Sequence, residues 1–141
     1  MKKTALLLSL LLIAASTVSF GQDCETLIKS CEAHLKGKNN SFVSDGQVYT
    51  AFLDREKAEF KTTFFGGSTY RIAATAGDDD TYVIFTVKDL NGNILFSNKN
   101  YKNSPYWDFK VPKTLPVIIE TELDRDKKVT GCAVMMIGFK R

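Results

Sequence analysis

The chain changes its hydrophobic period once, after residue 36, and keeps the new period to its end. Between 23 and 35, Cys24, Leu27, Ile28, Cys31 and Leu35 recur at helical spacing, while Glu25, Lys29, Glu32 and Lys36 take the opposite face. Asp23 is placed to cap the start of this helix and Gly37 to end it. Past "KGKNNS" the period becomes two. Val48, Thr50 and Phe52 alternate with Tyr49, Ala51 and Leu53, and Ala58, Phe60, Thr62 and Phe64 alternate with Glu59, Lys61 and Thr63. Gly66-Gly67 turns the chain into Tyr70, Ile72 and Ala74, and an acidic turn after Ala76 leads into Val83, Phe85 and Val87. Further strands are predicted over 94–96, 106–111, 116–123 and 131–139. About eight short strands after one helix, with no helices between them, predict an antiparallel arrangement. The expected fold is mainly β: a jelly-roll-like antiparallel β-sandwich with one N-terminal α-helix.

The stretch "DLNGNILFSN", 89–98, has two competing readings. A calcium loop of the EF-hand type starting at Asp89 needs glycine at its sixth place and glutamate at its twelfth. Those places hold Ile94 and Asn100. Asn91-Gly92 between alternating apolar runs instead signals a hairpin, because both residues tolerate positive φ.

Before the helix, Lys2 and Lys3 precede an apolar run over 5–15 broken only by Ser9, and Ser19-Phe20-Gly21 offers small residues at the two positions a signal peptidase reads. The run is too short to cross a bilayer, so 1–21 is expected to be a secretory signal, 22–45 a helix and linker, and 46–141 the sandwich. A lipid-anchored cysteine is not expected, because Gly21-Gln22-Asp23 precedes Cys24 where small and apolar residues would be required. Cleavage after Gly21 leaves 120 residues, one ordinary domain, carrying 17 basic and 16 acidic side chains. The formal charge of +3 for the whole chain thus falls to +1, which does not imply nucleic acid as a partner. No second apolar run is long enough to span a membrane, and the expected location is the periplasm or the cell exterior.

Export places Cys24, Cys31 and Cys132 in an oxidising compartment, where one pair and one thiol are expected. Seven residues of helix separate Cys24 from Cys31 by about 10.5 Å along the axis, more than the roughly 7 Å a disulfide spans. Either one is therefore free to pair with Cys132, but not with the other. Cys31 lies mid-stripe and Cys24 in a first turn that frays, so Cys31–Cys132 is the expected bond and Cys24–Cys132 the second choice. A zinc site would need a CxxC or a second histidine, and the chain has neither.

Other candidate chemistry is sparse. His34 is the sole histidine, on a peripheral helix, so a nucleophilic triad is not expected. Glu120 and Glu122 share one strand face, about 6.8 Å apart by strand rise, a spacing between those of retaining and inverting glycosidases. Alternating charges opposite Val117, Ile119 and Thr121 are also those of any solvated sheet face, and that is the expected reading. Asp78, Asp79 and Asp80 offer oxygen ligands for a possible calcium ion. Within "NYKNSPYWDF", alternation sends Trp107, Phe109 and Val111 to the core and leaves Tyr101 and Tyr106 as solvent-facing candidates for binding.

The run "FFGGSTYRIAATAGDDDTYVIFTVKDLNGNILFSN", then "YWDFKVPKTLPVIIETEL" and "GCAVMMIGFK", resembles the β-sandwich of bacterial pre-peptidase C-terminal domains. The likeness covers 46–140 and rests on hairpin and core positions; the cysteine-bearing helix is an addition to it. It implies an accessory module of secreted enzymes with no catalysis of its own. The expected function is a non-catalytic exported binding or accessory module with a protein or glycan partner. The alternative is a glycosidase-like hydrolase using Glu120 or Glu122.

Overall fold

The computed structural model describes residues 20–77 and 79–140. The expected signal segment, 1–21, lies outside these residues but for its last two, and Asp78 lies outside them as well. Helix α1 (Phe20–Lys36) precedes β1 (Phe42–Asp54), β2 (Ala58–Phe64), β3 (Ser68–Thr75) and β4 (Val83–Lys88). Then come β5 (Ile94–Ser97), a 3-10 turn (Asn98–Tyr101), β6 (Tyr106–Val111), β7 (Leu115–Leu123) and β8 (Thr130–Lys140). Each strand expected from the period of two is present.

The strands form two four-stranded antiparallel sheets, ordered β1-β8-β3-β6 and β2-β7-β4-β5. The chain changes sheet at every connection except β4–β5, which gives the jelly-roll architecture. That one hairpin is the Asn91-Gly92 turn. Asp89 Oδ1 accepts from the backbone N–H of Asn91 and Asn93, both at 2.9 Å, and Gly92 has φ 84°. The carboxylate that suggested a metal loop is spent on its own turn.

Alternation fills the space between the sheets. Ile72 and Ala74 from β3, Phe85 from β4, Ile119 from β7 and Ile137 from β8 are all buried there. Burying one such large side chain stabilises the fold by about 1.5–3 kcal/mol. The opposite faces of β3 and β8 carry Ala73, Cys132, Val134 and Met136, and these are covered by Cys31 and Leu35 of α1 with Leu27 and Ile28 beside them. Helix and sheet meet closely at Gly138, where an added Cβ would stand 2.7 Å from the Val43 carbonyl oxygen and 3.0 Å from Leu35 Cδ1.

The direction of α1 corrects the expected disulfide. Cys24 bonds Cys132, with Cα atoms 5.6 Å apart, and Cys31 is a buried free thiol. The helix starts over the beginning of β8 and ends, at Leu35, over Gly138. Rise per residue then sets the pairing: seven residues of helix cover about 10.5 Å, which is about three residues of strand. Cys31 is carried past Cys132 to the level of Val134, and its thiol donates to the carbonyls of Ala73 (3.3 Å) and Val134 (3.7 Å). Burial pushes this thiol up to about 12, so it is not a thiolate at neutral pH.

Two boundaries also differ from expectation. β1 starts at Phe42, inside the expected linker, because Phe42 and Ser44 pair with Lys140 and Gly138 before a register shift. The irregular residues Asp45, Gly46 and Gln47 hide that pairing from a period-two pattern; Gly46 has φ 90°. α1 begins at Phe20, so Asp23 lies inside the helix and is not its cap.

One buried group has no partner among the described residues: the hydroxyl of Thr75, fully buried where β3 pairs Val134. An unsatisfied buried hydroxyl costs about 1–3 kcal/mol. Thr75→Val is therefore expected to raise the melting temperature by a few degrees, read by circular dichroism; a fall would show that the hydroxyl has a partner.

Candidate functional site

Arg71 stands on the helix-facing side of β3, a charged residue in a row with Ala73 and Thr75. Antiparallel pairing sets it opposite Asp108 of β6. Its Nε and Nη2 donate to the two Asp108 carboxylate oxygens at 2.6 and 3.0 Å, and Nη1 donates to the His34 carbonyl at 3.1 Å. The guanidinium carbon lies 4.2 Å from the ring centre of Phe42 and 4.3 Å from that of Tyr106. Strand β1 brings one ring and β6 the other, so two strands and the end of α1 converge on one β3 side chain that is 11% exposed. Cation–π contact on both rings holds it in place.

Beyond Arg71 lies an open cavity of about 540 Å³, bordered by the end of α1 and the loop into β1; Lys36, Lys38, Asn39 and Ser41 are on its wall. Its size is that of a small-molecule site. Gly37 ends the helix here with φ 65°, its N–H bonded to the Ala33 carbonyl at 3.0 Å. An added Cβ at Gly37 would meet Arg71 Nη1 at 2.8 Å, so a larger residue there would have to displace the guanidinium. His34 also lines the cavity, and its Nε2 pairs with Asp80 Oδ1 at 2.9 Å, tying α1 to the turn before β4. A second cavity, about 320 Å³, lies between edge strands β1 and β2, with the stacked rings of Tyr49 and Phe60 4.1 Å apart on its wall.

The expected site residues do not assemble into one platform. Tyr106 lies on the helix side of β6 at the cavity, under Arg71. Tyr101 packs at a tilt against Trp107, 4.3 Å between ring centres, on the other side of the same strand, and Trp107 packs on Phe96 at 5.0 Å. Both tyrosines are exposed, and Trp107 packs against the core as its alternation implies. In the acidic turn, Asp79 Oδ1 accepts from the Thr81 N–H at 2.7 Å and from its hydroxyl, which holds that carboxyl below the usual range, while Asp80 turns to His34. Asp78 is outside the described residues. Among those residues no three His, Cys, Asp or Glu side chains come together as a metal set.

Glu120 and Glu122 share the outer face of β7, as alternation requires, but that face is not simply solvated. Glu120 is buried beneath Lys88 Nζ, 2.5–2.6 Å from both its oxygens, with Lys57 at 3.6 Å; Lys57 also reaches Glu122 at 3.8 Å. The Lys88 hydrogen bonds, helped by the Lys57 charge, hold the Glu120 carboxyl below the usual carboxylate range against the upward pull of burial. Folding therefore favours its ionised form. The resulting stability is fully present above the unfolded value of about 4.3 and is lost as pH falls through the lower folded value. The difference in melting temperature between wild type and Glu120→Gln is expected to be constant above about pH 5 and to shrink below it. A difference unchanged into strong acid would contradict the pairing.

A scan against protein-family models matches none, and a search of curated proteins finds no similar chain. Arg71, Phe42, Lys36, Lys38, Asn39 and Ser41 did not stand out from sequence. The one available signal was a lone arginine on the β3 face that the helix stripe had to cover.

Proposed function

We propose that this chain is an exported, non-catalytic binding or accessory module whose ligand, a protein or glycan surface group, is held in the Arg71 cavity. The observation that carries this is the cavity itself, with a guanidinium fixed between two rings at its wall. Export is supported by the Cys24–Cys132 disulfide, which needs an oxidising compartment. Among the described residues no helix is long and apolar enough to cross a membrane. An accessory role agrees with the resemblance to pre-peptidase C-terminal domains, which share a sandwich of two antiparallel sheets.

The hydrolase reading has less support. A general acid needs a raised pKa, and Glu120 is shifted the other way by Lys88 and Lys57. The binding reading calls for no cofactor. The binding reading is tested by passing wild type and Ser41→Trp, whose indole would obstruct the cavity, over an immobilised panel of glycans and peptides. Retention of wild type alone is expected. Equal retention of both, or of neither, would overturn the cavity as the binding site.

A further inference from the structure

We propose, resting on the cavity reading above, that the group bound there is the carboxylate of an acidic saccharide, a uronate unit held by Arg71 and Lys38. The wall carries Lys36, Lys38 and Arg71 and no aspartate or glutamate. The acids that offset this charge stand outside it: Asp108 binds Arg71 from β6, Glu32 pairs with Lys36 one turn back at 2.5 Å, and Asp80 faces His34. Lys38 has no ion pair or hydrogen bond among the described residues.

Arg71 is only partly used. A guanidinium carries five N–H donors, and here Asp108 takes two and the His34 carbonyl one. One N–H on Nη1 and one on Nη2 are left for a ligand. The rings of Phe42 and Tyr106 hold the group still, so little side-chain entropy is lost when a carboxylate binds it. Two of the last four carbonyls of α1, those of His34 and Ala33, are already occupied by Arg71 and Gly37, which reduces the opposing field of the helix end.

The rest of the wall favours a hydroxylated ligand over a peptide. Asn39 and Ser41 offer an amide and a hydroxyl, matched to sugar hydroxyls around a carboxylate. Arg71 covers a face of each ring, which leaves Ala33 as the aliphatic contact and no pocket for an apolar peptide side chain.

Isothermal titration at low ionic strength with trigalacturonate, its methyl ester and triglutamate tests this on wild type, Lys38→Glu and Arg71→Lys, each checked for folding by circular dichroism. Trigalacturonate is expected to bind wild type, and Lys38→Glu to weaken it by about tenfold or more, since a cation is replaced by an anion. Arg71→Lys, which keeps charge and loses the fork, should also weaken it, and the methyl ester should not bind. Equal binding of ester and acid, or an unchanged affinity in Lys38→Glu, would overturn the carboxylate and leave the cavity reading standing. Triglutamate binding in place of trigalacturonate would overturn the saccharide. Binding of none of the three overturns this proposal, while the fate of the cavity reading is decided separately by Ser41→Trp on the panel.

Discussion

Cys24→Ser is expected to be among the most destabilising single changes in this protein under oxidising conditions, and nearly silent under reducing ones. The Cys24–Cys132 bond joins positions 108 residues apart. In the chain-entropy model a loop of that length removes unfolded-state freedom worth about 4–5 kcal/mol. For a domain of this size the loss corresponds to a fall in Tm on the order of 10–20 °C. Cys31→Ala should behave differently. It removes a buried thiol and two weak hydrogen bonds, so its smaller cost should be the same with and without reductant. Thermal melts of both variants, each with and without a reducing agent, give the comparison. A redox-dependent penalty at Cys31 in place of Cys24 would mean the other pairing.

Asn98→Ala is expected to cost about 3–5 kcal/mol, because it strips three backbone groups, two of them in buried bonds, of their partners at once. Asn98 is fully buried at the start of the 3-10 turn. Its Oδ1 accepts from the Phe85 N–H at 2.8 Å, and its Nδ2 donates to the carbonyls of Val83 and Ser104 at 2.9 and 3.0 Å. One side chain thus completes the backbone bonding of β4 and fixes the crossing from β5 to β6, the strand that carries Tyr106 and Asp108. Denaturant titration reads the loss directly. A cost under about 1 kcal/mol would show that water replaces the amide in those bonds.

The strands were legible because period-two burial is local: Val83, Phe85 and Val87 face inward whatever strand lies beside them. The Asn91-Gly92 hairpin was legible for the same reason, since its turn is closed by Asp89 two and four residues away. Which strand neighbours which was not legible. The pairing of Arg71 with Asp108 spans 37 residues and exists only because β3 lies between β8 and β6. The disulfide failed on a one-dimensional detail. Cys31 and Cys132 were correctly expected on one interface, but the level of each along it depends on the direction in which α1 runs over β8. Tyr106 was found as an exposed aromatic; its role beside Arg71 required two strands and a helix end that no local pattern joins.

Ligand binding is proposed at the Arg71 cavity. Amide chemical-shift mapping of the uniformly 15N-labelled protein, titrated with the best-retained member of the glycan and peptide panel, tests it most directly. The expected result is a set of shifts confined to the end of α1, Lys38, Asn39, Ser41, Phe42, Arg71 and Tyr106. Shifts centred instead on Tyr101 and Trp107, or on the cleft between Tyr49 and Phe60, would contradict it.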